Sequence, residues 1–367
     1  MSHKVLLLIK GLGRGGAEQL LASAISHLDR ERFDYEVAYL LPHKDALVPE
    51  FEKAEIPVHC LRGARGTGWT RRLLHLVQDR QIELVHSHSP VPATGARLRL
   101  GNRVARVYTE HNEWERYHRL TYWANVLTFP RSNHVFAVSD HVRHSIRYPA
   151  AFRRRRMPQV ETLYHGIDMD WIPEWEKTDG IRESLGLPED AVVVGTVANL
   201  KSHKRLDVLI RASKILRARI PNLRLVIVGT GPREEDLRRL VHELGLGSTV
   251  IFAGFREDAP RVAATFEVFA LSSDNEGLSI ALIEALALGK PAVVTNVGGL
   301  AEVVRDGVEG FLVPRENPAE MAERIARLLQ YRSLREQMGA LGRSRAAEFD
   351  IRRAVRRVEQ VYGELLA

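Results

Sequence analysis

Cysteine is almost absent from this 367-residue sequence. Cys60 stands alone, so the chain can build neither a disulfide framework nor a cysteine-based metal cluster. Such usage suits a reducing cytosol. Also missing is any run of about eighteen apolar residues, the length a membrane-spanning helix needs. The apolar stretch at 5–9 is too short for the apolar region of a signal peptide. It leads into Lys10-Gly11 with no small-residue cleavage site nearby, and reads as a first buried strand. No low-complexity tract or short-period repeat interrupts the chain, apart from four arginines at 153–156. These absences give the expectation of a soluble, cytoplasmic protein.

What is present points to two domains. The length is about twice that of one ordinary domain. Apolar and charged contents of 45% and 27% are ordinary for globular proteins, so composition does not argue for disorder. The formal charge of +7 is unevenly placed: residues 1–170 carry all of the excess, and the remainder is balanced. A uniformly basic, solubilising surface would not segregate in this way.

Short apolar strands alternate with amphipathic helical stretches. Strands are expected at 4–9, 35–40, 83–87, 105–109 and 134–138, and again at 192–197, 223–228, 249–253, 267–270 and 291–295. Helical patterns fall between them, and a last amphipathic helix covers 350–366. The alternation predicts parallel α/β sheets. It breaks around 171–180, where a loop reads between two series. The expected division is therefore a first Rossmann-like domain at 1–172, a second at 173–348 and a terminal segment at 349–367. Two doubly wound domains would leave a cleft between them at the carboxyl ends of both sheets, where ligands of such sheets bind.

Four loops carry candidate chemistry. The first strand runs into Gly11-Leu-Gly-Arg-Gly-Gly-Ala-Glu18. Glycines let backbone amides approach a phosphate at a helix start, although a tight turn with no ligand gives the same pattern. Strand 192–197 is followed by Ala198-Asn-Leu-Lys-Ser-His-Lys-Arg205, where Lys201, Lys204 and Arg205 could neutralise a departing diphosphate or simply be solvated. In the third loop Glu276 precedes a helix that Ser279 could cap. The amides of Gly277, Leu278 and Ser279 are donors aimed at the same place. A sugar hydroxyl and a phosphate oxygen suit that pairing of acceptor and donors. Glu284 falls inside the following helix in an otherwise apolar run, where an unpaired carboxylate would cost several kcal/mol. A ribose diol could supply its partners, as could a structural ion pair. Lastly, Asp168-Met-Asp170 has metal-binding spacing but lies between the domains, and a structural role is favoured. His86 and His88 alternate along one strand end without the further ligands a zinc site needs.

Taken together, Glu276-x₇-Glu284, Gly289–Gly299 and Glu302 resemble the signature of family-4 retaining glycosyltransferases of the GT-B superfamily. Gly15-Gly16-Ala17-Glu18, His165-Gly-Ile-Asp168, Lys204, Gly229-Thr-Gly-Pro232 and Phe255 fall in the family's order. So does the terminal helix, which in such enzymes crosses back onto the first domain. The resemblance covers essentially the whole chain. It implies transfer of a hexose-type sugar from a UDP- or GDP-sugar to a hydroxyl acceptor, with retention and without metal or cofactor, in making cell-surface glycans or glycolipids.

By position, Gly15 and Gly16 would meet the donor pyrophosphate, Lys204 would neutralise it, Glu276 would hold the transferred sugar and Glu284 the ribose. Gly229 and Phe255 would lie near the base, and His111 near the reacting centre. The family often carries an arginine a few residues before the lysine. Here Asn199 stands instead, which leaves Lys201 or Arg205 to supply that charge.

On the acceptor side, basic clusters at 62–72, 97–106 and 143–156 and the aromatic-basic stretch 114–129 suggest docking on an anionic membrane surface. A peripheral position on the inner leaflet and a lipid-linked or glycan acceptor would follow. The aromatics would equally suit a helix core face. Rival readings are an enzyme for a small soluble acceptor, a binding-only homologue, and a basic nucleic-acid-binding protein. No nucleic-acid motif supports the last.

Overall fold

In a strand, successive side chains point to opposite faces. All five residues of the apolar run 5–9 are buried, as befits a parallel sheet covered by helices on both sides. The computed structural model describes residues 2–62, 68–149 and 157–367. It divides into two units, Met1–Gly166 with Ile351–Ala367, and Ile167–Asp350.

The first unit holds β1 (His3–Ile9), β2 (Phe33–Tyr39), β3 (Val58–Cys60), β4 (Leu84–His88), β5 (Ala105–Glu110), β6 (His134–Ala137) and β7 (Gln159–Thr162). Their order across the sheet is β3-β2-β1-β4-β5-β6-β7, parallel throughout. Val5, Leu7, Ile9 and Leu84 pack against Leu21 of the first helix (Gly16–Ser23) and Ala354, Val361 and Tyr362 of the terminal helix (Ile351–Leu366). Leu6, Leu8 and Val85 face the other way, against Leu73 and Val77 of the helix Trp69–Asp79. Polar clamps hold the terminal helix as well. Glu359 accepts from the Asp29 amide at 2.8 Å and the Tyr35 hydroxyl at 2.7 Å, while Arg357 makes a bidentate pair with Glu161 at 2.9 Å.

The second unit holds β8 (Val192–Val197), β9 (Leu223–Val228), β10 (Val250–Gly254), β11 (Val268–Leu271), β12 (Ala292–Thr295) and β13 (Gly310–Val313), parallel in the order β10-β9-β8-β11-β12-β13. Val194, Leu225 and Ile227 pack against Leu209 of the helix Leu206–Arg217 and Ile325 of the helix Pro318–Gln330.

The ten expected strands are present within two residues at each end. Three strands were not foreseen: β3, β7 and β13. All lie at sheet edges and have three or four residues. An edge strand has a ladder on one side only and needs no continuous apolar run, so Val58-His-Cys60 and Gln159-Val-Glu-Thr162 leave no hydrophobic signature.

The basic cluster at 97–106 is partly interior, contrary to the expectation of surface charge. Arg97 is 2% exposed and donates to Ser132 Oγ at 2.8 Å and Asn125 Oδ1 at 2.6 Å, with its guanidinium 4.6 Å from the Tyr108 ring centroid. Burial pulls its pKa down to about 10. Arg106 is also buried and donates to the Leu100 carbonyl at 3.0 Å. The arginines at 153–156 and at 65 lie outside the described residues.

The aromatic stretch divides. Trp114 and Phe129 are core, whereas the helix Arg119–Thr128 exposes Leu120 (78%), Trp123 (45%) and Leu127 (47%). Spacings of three and four put these three on one stripe. Among the described residues, no helix is long and apolar enough to cross a membrane.

Tyr362 is 1% exposed and pins the terminal helix to β4 through His86, at 2.5 Å. Tyr362→Ala should lower the stability of the first unit by about 3–5 kcal/mol, as truncation of a large buried ring does. Urea denaturation followed by circular dichroism measures this. A loss below about 1 kcal/mol would mean that the helix contributes little.

Candidate active site

Parallel sheets bring every strand's carboxyl end to one edge, and the crevice opens where the strand order reverses. In the second unit the reversal is at β8, flanked by β9 on one side and β11 on the other. The loops after β8 and β11 are stitched together. Ser272 Oγ donates to the carbonyls of Lys204 (3.1 Å) and Arg205 (2.7 Å), and the Asp274 amide donates to the His203 carbonyl (2.8 Å).

This stitching brings Lys204 and Glu276 together, 72 residues apart in sequence. The Lys204 ammonium pairs with Glu276 Oε1, and Ser273 Oγ donates to the same oxygen at 2.8 Å. Both charged side chains are largely buried, so their attraction is little screened. Gly298 and Gly299 pack on the Glu276 loop: the Gly299 amide donates to the Glu276 carbonyl at 2.9 Å. A Cβ on either glycine would overlap the Glu276 or Gly277 carbonyl oxygen.

Arg205 has another task. It sits in the left-handed region (φ 45°) at the start of the helix Leu206–Arg217, and its guanidinium is held by Asp207, Asp274 and Glu316. Those carboxylates raise its pKa. With Arg205 so occupied, Lys201 is the cation left near the exposed Asn199. Gly229 lies on the far side of the same loop. Its amide donates to the Gly254 carbonyl at 2.7 Å, and Leu200 donates to the Thr230 carbonyl at 3.0 Å. Phe255 follows, 45% exposed.

Ser279 caps the helix Ile280–Ala287, accepting from the Leu282 amide at 3.4 Å. The amides of Gly277 and Leu278 have no acceptor among the described residues. Glu284 lies four residues beyond Ile280, on the less buried face of this helix. It has no hydrogen-bond or ion-pair partner among the described residues, and burial raises its pKa to about 7.

In the first unit the reversal falls between β1 and β4. Gly15 is the N-cap of the first helix, and a Cβ on Gly16 would meet no atom within 4 Å. The backbone there is open to close approach. The two-residue period puts His86 and His88 on one face of β4, and Thr109 and His111 on the same face of β5. His86 lies between Tyr362 Oη (2.5 Å) and Thr109 Oγ1 (2.7 Å). His88 Nδ1 is 3.3 Å from His111 Nε2, and the rings of His111 and His165 stack at 6.0 Å.

Burial, aided by mutual repulsion of the charged forms, holds His86, His88 and His111 well below the usual histidine pKa. Burial alone lowers His165 to about 4. All four are neutral at pH 7. Among the described residues, no three His, Cys, Asp or Glu side chains converge as metal ligands would. Asp168 caps a short turn by accepting from the Asp170 amide at 3.1 Å.

Sequence reasoning missed two supports of the site. Ser273, which bonds Glu276, lies inside the motif but carried no signal distinguishing it from Ser272. Glu110 is fully buried and accepts from Tyr108 Oη (2.7 Å), Trp114 Nε1 (2.9 Å), the Asn112 amide (3.2 Å) and the Tyr117 hydroxyl. It fixes the loop that carries His111. Its signal was a carboxylate at a core-facing strand position, with aromatic donors two, four and seven residues away.

The raised pKa of Glu284 has a consequence for stability. Between about pH 4.5 and 7 the folded protein keeps a proton that the unfolded chain has released, so this group makes stability fall as pH rises through that window. Glu284→Gln should therefore stabilise the ligand-free protein by up to about 3 kcal/mol at pH 8 and by less than about 1 kcal/mol at pH 5. Denaturant titrations at the two pH values decide. An equal effect at both would mean the carboxyl is not held in its acid form by burial.

Comparisons with known proteins agree with this geometry. A family model described as Glycosyltransferase Family 4 matches residues 14–171, and one described as Glycosyl transferases group 1 matches residues 177–345. EpsD of Bacillus subtilis (strain 168), named as a glycosyltransferase, is 28% identical over 80% of this chain and 79% of its own length. The D-inositol 3-phosphate glycosyltransferase of Salinispora arenicola is 37% identical, over 51% of this chain and 44% of its own. Among solved structures, Anabaena Alr3699/HepE in complex with UDP and glucose superimposes with a TM-score of 0.86 at 22% identity. It covers 99% of this chain and 100% of that one. Two family models that together account for nearly the whole sequence, on two parallel α/β sheets, give one conclusion: the chain belongs to the group 1 / family 4 glycosyltransferases and has their GT-B fold.

Proposed function

We propose that the enzyme transfers a hexose from a UDP-sugar to an acceptor hydroxyl with retention of configuration, the second unit binding the donor and the first serving the acceptor. The observation that carries this reading is Glu284, a partly buried carboxylate without a protein partner among the described residues. A vicinal diol offers two O–H donors to one carboxylate, which is what a ribose presents. The choice of uridine follows HepE, whose structures are described as complexes with UDP and with UDP-glucose.

In this reading Glu276 accepts from hydroxyls of the transferred sugar, while Lys204 and the amides of Gly277 and Leu278 face the diphosphate. The pairing of Lys204 with Glu276 keeps both in place before the donor arrives. The acceptor oxygen attacks the anomeric carbon as its bond to the phosphate oxygen breaks, and the acceptor's proton passes to the leaving phosphate. Charge grows on the diphosphate during that step, so preorganised donors there act mainly on the transition state. Gly15 and Gly16 approach the pyrophosphate, Lys201 supplies the charge that Asn199 lacks, and Gly229 and Phe255 flank the base. Neutral His111, by the family resemblance, would lie near the reacting centre and hold a hydroxyl there.

Lys204→Ala should lower kcat at least 100-fold while changing UDP affinity less than tenfold, measured by steady-state kinetics and calorimetry. The wild-type reaction should persist in excess chelator. Equal losses of kcat and affinity would reduce Lys204 to an anchor. Loss on chelation restored by manganese would bring a metal into the mechanism.

The acceptor is read as lipid-linked and met at an anionic membrane surface. In favour are the exposed stripe of Leu120, Trp123 and Leu127, with Leu98 (58% exposed) on the neighbouring helix. Arg99, Arg103, Arg116 and Arg119 are exposed nearby in sequence. Apolar side chains that enter the interfacial layer, accompanied by arginines, suit a bilayer carrying negative charge. In liposome flotation the enzyme should bind vesicles containing phosphatidylserine, release as salt rises, and lose binding in Leu120→Asp/Trp123→Asp. Indifference to anionic vesicles at low salt would favour a small soluble acceptor.

A further inference from the structure

Beside the Lys204–Glu276 pair stands a second charged cluster, centred on Arg205. The backbone of Arg205 is left-handed, with φ 45° and ψ 42°. A residue with a Cβ is strained there and glycine is not. An arginine at this position carries a cost that its side chain has to offset.

That side chain meets three carboxylates. Nε and Nη2 donate to the two oxygens of Asp207 at 3.1 and 3.2 Å. Nη1 reaches Asp274 at 3.4 Å and also pairs with Glu316. Asp207 opens the helix Leu206–Arg217, Asp274 lies in the loop after β11, and Glu316 in the loop after β13. The planar fork of a guanidinium suits one bidentate carboxylate and two further ones at once, whereas a point-like ammonium does not.

These contacts bear on the neighbouring pair. Lys204 and Arg205 are consecutive cations, and the carboxylates facing them, Asp274 and Glu276, are two residues apart. Two pairings are open to such a set: Lys204 with Glu276 and Arg205 with Asp274, or the reverse. The structure holds the first. Asp207 and Glu316 pair with Arg205 and with no other cation among the described residues, which draws the guanidinium away from Glu276. Ser272 fixes the same register from the backbone side, through its hydroxyl on the Lys204 and Arg205 carbonyls.

We infer that Arg205 is a positioning residue: its clamp on Asp207, Asp274 and Glu316 fixes the register in which Lys204 meets Glu276. This role rests on the reading of that pair as donor-site groups. Arg205 itself acts through Lys204 and not on the substrate.

Arg205→Gly removes the side chain from a backbone that suits glycine, so a loss belongs to the clamp and not to strain. Release of UDP from UDP-glucose is followed with no acceptor added. kcat should fall at least tenfold while KM for UDP-glucose changes less than threefold. Asp274→Asn keeps Arg205 and should reproduce this pattern. The double variant should be no slower than Arg205→Gly alone, because both changes break one contact.

A second readout needs no turnover. In the ligand-free full chain, Arg205→Gly should speed amide hydrogen exchange at 272–276 at least tenfold and leave 223–228 unchanged. An unchanged kcat, a rise in KM as large as the fall in kcat, losses that multiply in the double variant, or unaltered exchange at 272–276 would each overturn the proposal. A wild-type enzyme that leaves UDP-glucose intact would overturn the donor reading instead, and hydrogen exchange would still decide for or against the clamp.

Discussion

The parallel ladder is the constraint on which the rest of this molecule depends. A strand paired in parallel on both sides cannot be joined to its neighbour by a hairpin, so each connection crosses a face as a helix and both faces become buried. All carboxyl ends then collect on one edge. The two loops either side of an order reversal become neighbours however far apart they are in sequence. Lys204 meets Glu276 for this reason, as the first glycine-rich loop comes to lie beside the end of β4.

The candidate site regions of the two units manage buried polarity in different ways. The second keeps its charges and pairs them: Lys204 with Glu276, and Arg205 with three carboxylates. Glu284 is the exception, and it escapes the cost of burial by drifting toward its acid form. The first unit lines one sheet face with imidazoles that give up their charge altogether. A site built from fixed charges suits a diphosphate, and one built from neutral rings suits hydroxyl groups.

Much of this was legible beforehand because it follows from local periodicity. The central strands announced themselves as apolar runs, and Ser279 announced a helix start. Lys204 and Glu276 could be named from the motif that carries them, but not as a pair, since pairing depends on strand order. Edge strands such as β7 were illegible because half-solvated residues need no pattern. Arg97 misled, since a long cationic side chain can be buried when ring faces and amide oxygens replace water. Leu120 and Trp123 could be judged only once the helix was seen to turn them outward.

The terminal helix bears on how the protein is made. Tyr362, Val361 and Ala354 complete a core whose other members lie in the first 166 residues, yet the whole second unit is encoded between them. During synthesis at about 5–20 residues per second, roughly 10–40 s pass before the missing helix emerges. Through that interval the nascent sheet keeps an apolar face open to water, with Leu7 and Phe33 uncovered. The second unit, contiguous in sequence, can close its own core first. The first unit, although most of it precedes the second in the chain, is thus the later of the two to complete its core.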